Sequence, residues 1–289
     1  MLLKVVVIAF FFIACTLASP LNNPIEICGT HISDEERAIV ERDLKIYKLE
    51  PRSFNHSTTL NVYFHVIAAD ITMEAGWVLY SQIIKQMQIL NDAFSNTGFT
   101  WKLVSVDRTI NAEWFYNVTA EAYDLQLSMK KTLRKGTTPA DLDVYTVGFP
   151  KSDTNGYSTY PWNKGENDGI VILHASLPWG AKRGYNLGQT LVHEVGHWGG
   201  LYHIFEGGCD GQGDMVNDTP PQARPFGGCP MGMDTCKGGG EDPIHNFMGI
   251  TSCRNQFTPG QMARFKVMMA AYRGVYVPLV DLPTFSGSP

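Results

Sequence analysis

Apolar and polar positions along the chain mark out elements before any chemistry is considered. Residues 59–69, TLNVYFHVIAA, are rich in β-branched and aromatic side chains and predict a first strand. Over 74–94, Val78, Ile84, Met87, Leu90 and Phe94 recur at helical intervals, and Asn96–Gly98 closes that helix. A second strand is expected over 99–110, a second helix over 112–133, a third strand over 141–149 and a fourth over 169–177. Residues 33–50 predict a peripheral helix capped by Ser33, with Glu36 three positions on. Asn186 and Gln189 form a capping box that would start another helix at Leu187. From 207 to 255 the periodicity vanishes into Gly, Pro, Asp and Cys. It returns in FTPGQMARFKVMMAAYRG, with Thr258 as N-cap, Pro259 in the first turn, Gln261 completing the box and Gly274 as the stop. Strands interleaved with long helices predict an α/β (α+β) layered fold.

The amino terminus breaks this pattern. In MLLKVVVIAFFFIACTLASP, Lys4 is the one charge before an apolar run, and Thr16 and Ala18 supply small residues before a cut. This layout predicts a signal peptide over 1–18 and a secreted, extracellular protein. The apolar run is short for a membrane anchor, and no other stretch would span a bilayer. Residues 19–55 are polar and peripheral, a candidate pro-segment. With 289 residues, 44% hydrophobic and 18% charged, the chain can build one large domain or two modest ones. Its net charge of -5 argues against a nucleic-acid partner. Nothing signals an oligomer, so a monomer is the default.

Secretion changes the meaning of the six cysteines. Cys15 would leave with the leader. Cys209, Cys229, Cys236 and Cys253 crowd a glycine-rich region that could build little core alone, so two disulfides are expected, with three pairings open. Cys28 is left over. Glycosylation acceptor patterns occur at Asn55, Asn117 and Asn217.

The stretch LVHEVGHWGGLYH, 191–203, holds three of the eight histidines. His193 and His197 are four apart on a predicted helix, so both imidazoles share one face and can offer nitrogens to a single zinc ion. Glu194 lies beside them, placed to take a proton from water. His203 would be carried away by a continuous helix. Gly200 can adopt a left-handed turn that swings it back. This is the spacing of metal-assisted peptide hydrolysis, H-E-x-x-H-x-x-G-x-x-H. His65 and His174 fall in strand patterns and read as packing or strand-end residues, and His245 has no assigned role.

Together with GCPMGMDTC, DPIHNFMG and FTPGQMARF, this stretch resembles the pappalysin family of metzincin metalloendopeptidases, in particular its small secreted fungal members. The likeness covers about 55–275. It implies a metzincin-type catalytic domain over 56–289: a mixed twisted sheet, two long helices including the zinc helix, and a disulfide-stapled, loop-rich lower subdomain from 200. It implies one catalytic zinc on His193, His197 and His203, Glu194 as general base, and Met248 as the methionine of the Met-turn. It implies the pairs Cys209–Cys236 and Cys229–Cys253, and protein or peptide substrates extended along an edge strand near 155–162. Cys28, heading CGT, would cover the zinc of a zymogen. Asp214 and Asp218 could bind Ca2+, as near here in some relatives. One departure stands out: Met248 is followed by Gly249 and Ile250, where the family carries Asp and Tyr. A non-catalytic zinc-binding interaction module is the alternative that this departure favours.

Overall fold

A computed structural model of the chain describes residues 27–49 and 59–276, so the expected signal peptide and Asn55 lie outside the described residues. The elements run α1 (Asp34–Leu49), β1 (Thr59–Ala68), α2 (Tyr80–Ala93), β2 (Thr100–Ile110), α3 (Ala112–Asn117), α4 (Tyr123–Leu133), β3 (Leu142–Val147), β4 (Gly156–Ser158), β5 (Ile170–Leu173), α5 (Gln189–Trp198) and α6 (Pro259–Met268). The five strands form one mixed sheet in the order β2-β1-β3-β5-β4. All pairings are parallel except that of the edge strand β4 with β5.

Period-two side-chain alternation divides the sheet into two faces. Val62, Phe64, Val66, Val144, Ile170 and Ile172 face a large core shared with α2 and α5. Ile67, Tyr145, Val147, Val171 and Leu173 face a smaller core with Phe115, Val118 and Met129 of the α3–α4 region. Every residue of β3 is buried, as expected for a parallel strand covered on both sides. The helix α5 lies under the sheet against α2, β4 and β5, with all ten of its residues buried.

Local chemistry moved several expected boundaries. The second helix is two helices. Asn111 caps α3 by accepting from Trp114 N at 3.0 Å, and fully buried Val118 anchors the break. The helix α2 starts at Tyr80 because 70–76 forms a turn, tied by Thr72 N donating to Asp70 Oδ1 at 2.7 Å. That helix buries Ile83, Met87 and Leu90 and leaves Ile84 exposed. The strand β3 ends at Val147, where Gly148 N turns to Phe115 O, and β5 ends at Leu173 in a 3-10 turn. The capping box at Asn186 does not form. Gly188 caps α5 from a left-handed conformation, φ 79°, while Asn186 donates to Gly180 O and Gln189 to Arg254 O. At the other end of the chain, Thr258 and Gln261 do make the expected box on α6. The last helix then widens into a π-turn over Met269–Arg273 and stops at Gly274.

Below α5 the chain has little regular structure. Two disulfides, Cys209–Cys236 and Cys229–Cys253, tie it together. In the chain-entropy picture each is worth about 3.5 kcal/mol for loops of this size. A buried ion pair fastens the turn after α6 to α5. Arg273 bonds Asp168 through both nitrogens, lies 3.8 Å over the Trp198 ring, and donates to Trp198 O. Burial opposes the charge on Asp168, but Arg273 holds its carboxyl below the usual range.

Candidate metal centre and cleft

The helix α5 presents His193 and His197 one turn apart. The chain then leaves the helix through a Schellman turn: Leu201 N donates to Gly196 O at 2.9 Å, and Gly200 N to His197 O at 2.8 Å. Gly200 takes the left-handed conformation this requires, φ 90°. That reversal returns His203 to the face it would otherwise leave. The Nε2 atom of His197 lies 3.1 Å from Nε2 of His193 and 3.1 Å from Nε2 of His203.

The outward nitrogens explain how three imidazoles can converge. His193 Nδ1 donates to Phe247 O at 2.6 Å and His197 Nδ1 to Leu201 O at 2.8 Å. A carbonyl can only accept, so both Nδ1 atoms carry the proton and both Nε2 lone pairs point inward. His203 Nδ1 faces Glu206 Oε1 at 3.3 Å. Burial depresses all three histidines, His203 to about 3, so they are neutral. Lone pairs this close repel one another unless a cation sits among them. The donor set fits one zinc ion.

A fourth donor joins them. The Cys28 sulfur lies 3.6 Å from His197 Nε2, and the ligand atoms of Cys28, His193, His197 and His203 all fall within 4.8 Å of one another. Residues 27–29 reach this position by running along the free side of β4: Asn155 N donates to Ile27 O at 2.7 Å and Gly29 N to Gly156 O at 3.0 Å. The bridge is parallel. Glu194 lies beside Cys28, 3.8 Å from its sulfur, and accepts from Thr30 Oγ1 at 3.2 Å. Burial pushes the Glu194 carboxyl up to about 8 despite those two contacts.

Met248 is completely buried in a tight turn beneath α5, where Gly196 leaves room for its sulfur. Asn246 shapes that turn by accepting from Met248 N at 2.9 Å and Gly249 N at 3.0 Å. Ile250 is buried against Ile27 and Cys28, and its carbonyl accepts from Tyr185 OH at 3.3 Å. Asp218 spends its oxygens on Thr258 and Gly260 at the start of α6, and Asp214 accepts from Val216 N and Gln261 Nε2. Among the described residues no metal-capable cluster includes them. Asn117 and Asn217 are exposed. His65 is buried between Asp107 and Asp143, His174 bonds Val147 O, and His245 bonds Cys253 O. Sequence reading missed Thr30, Glu206 and Arg254. Only Glu206, three residues past His203, carried a usable signal.

Comparison with known proteins agrees with this geometry. Residues 152–270 match the family described as pregnancy-associated plasma protein-A. An extracellular metalloprotease of Verticillium alfalfae is 37% identical, over 85% of this chain and 89% of its own. One from Podospora anserina is 37% identical, over 90% of this chain and 89% of its own. Among solved structures, a Tannerella forsythia promirolysin variant shares the fold, with a TM-score of 0.68 at 23% identity over 86% of this chain and 94% of that one. Mature mirolysin in complex with a cleaved peptide gives 0.60 at 26% identity, over 78% and 94%. The chain belongs to the pappalysin family and is a secreted zinc-dependent peptidase acting on protein substrates.

Proposed function

We propose that Glu194 is the general base of this peptidase and that His193, His197 and His203 hold its zinc. When bound, zinc supplies Lewis-acid polarisation and a water acidic enough to lose a proton near neutral pH. Glu194 takes the proton of the attacking water and returns it to the leaving amine. The substrate lies extended along β4, on the strand side that residues 27–29 cover in this chain, as strand addition allows. Residues 19–55 act as a pro-segment, with Cys28 closing the site until that segment is removed.

The observation that carries the reading is the convergence of three inward Nε2 atoms with a carboxylate alongside. Glu194→Gln removes the base and keeps the side-chain shape. We expect the variant to retain one zinc per chain by elemental analysis and to lose at least about 100-fold in peptide hydrolysis. Full activity in a folded, zinc-loaded Glu194→Gln protein would remove Glu194 from the mechanism.

A further inference from the structure

Next to Glu194, toward the amino-terminal end of α5, lies a small cavity. Thr190, Glu194, Asn155, Ile250 and Arg254 line it, with Ile27 and Cys28 as its cover. Its volume, about 10 Å³, has room for about one water. Three of its lining residues nonetheless carry polar atoms without a partner among the described residues. Thr190 Oγ1, both amide atoms of Asn155 and Arg254 Nε are buried and find no partner among the described residues. Buried polar groups are normally satisfied, and a guanidinium most of all.

Arg254 is the anomaly. It is 2% exposed; its Nη1 donates to Gly249 O at 3.0 Å, while its Nε finds no partner among the described residues. It forms no ion pair among the described residues, in contrast to Arg264 with Glu41 and Arg273 with Asp168. Burial pulls its pKa down to about 10, so it remains charged at neutral pH. Retaining an unpaired buried cation is costly unless something else satisfies it.

The position of the cavity says what could. On the assignment of Glu194 proposed above, the leaving amine must lie on the Glu194 side of the metal centre. The residue that carries that amine is then the part of the substrate nearest the cavity walled by Thr190 and Glu194. Removing Ile27 and Cys28 takes the cover off. We propose that this cavity receives the side chain following the scissile bond, and that Arg254 selects an aspartate or glutamate there. The carboxylate accepts from the Arg254 guanidinium, while Thr190 and Asn155 supply further polar contacts.

The test uses the secreted protein after its amino-terminal segment has been removed, on paired peptides that differ only in Glu or Gln after the cleaved bond. A site built to bond a polar group discriminates strongly against a substrate that lacks it. We expect kcat/KM for the Glu peptide to exceed that for the Gln peptide by about tenfold or more, and a mixed-peptide digest to show acidic residues enriched at that position. Arg254→Met should erase the preference. Should that variant fold poorly, the wild-type Glu/Gln ratio still decides. Cleavage of both peptides at equal rates, or a digest enriched in basic or apolar residues there, overturns the role of Arg254 and leaves the peptidase assignment intact. Failure to cleave any peptide in the mixture overturns the peptidase assignment itself, and this inference with it.

Discussion

Gly200 makes the third histidine available, and its replacement by alanine tests that account quantitatively. The backbone there has φ 90°, where an L side chain costs about 1–2 kcal/mol. A Cβ would also meet Met268, with Cε at 2.7 Å and Cβ and Cγ at 2.8 Å. The flexible end of Met268 can swing away, but its Cβ moves only with the backbone of α6. Such overpacking costs about 1–3 kcal/mol. The total is about 2–5 kcal/mol. At about 2–4 °C per kcal/mol for a domain of this size, Gly200→Ala should lower Tm by about 4–20 °C. Relieving the strain means unwinding the Schellman turn, and that pulls His203 from its two partners. Thermal unfolding, zinc content and peptide hydrolysis should therefore fall together in the purified variant. A Gly200→Ala protein that melts within a degree of wild type and keeps its zinc and activity would refute the claim that this glycine positions His203.

Other perturbations probe separate parts of the molecule. Asp168→Asn strands Arg273 against Trp198 in the core and should cost about 3–5 kcal/mol, read from the denaturant midpoint. Cys28→Ala removes the sulfur over the three imidazoles and should raise peptidase activity in the uncleaved chain, an outcome excluded if Cys28 only fills space. His65 gives a pH signature. Burial opposes its charge, but Asp107 and Asp143 bond both ring nitrogens and raise its pKa above 6.5. Lys135 and Arg134, paired with those carboxylates, and the stacked ring of Tyr145 complete its surroundings. A raised folded pKa stabilises fully below about pH 6.5, and that contribution is lost as pH rises through the folded value. Melting curves should show this decline in the wild type, and His65→Gln should flatten it.

Much of this was legible in the sequence because period and spacing are local signals. The β-branched and aromatic run over 59–69 marked β1, and the H-E-x-x-H spacing placed two imidazoles together whatever the rest of the fold did. Gly200 was readable because a reversal needs a residue free to take positive φ. The α5 start was not. Asn186 and Gln189 have the right chemistry for a box, but Gly180 O and Arg254 O compete for them through contacts distant in sequence. Ile84 misled because helical spacing does not say which turn faces the sheet. Arg254 was invisible for the same reason: an arginine in a cysteine-rich loop looks solvated until the chain folds it beneath Cys28.

The two disulfides have a topological consequence. Their loops overlap, since Cys229 lies between Cys209 and Cys236, and Cys236 lies between Cys229 and Cys253. Every peptide bond from 209 to 253 is therefore spanned by at least one covalent tether. A single nick in this glycine-rich stretch releases no fragment. Nicked molecules should migrate as one species until a reductant is added, and only then separate into two pieces.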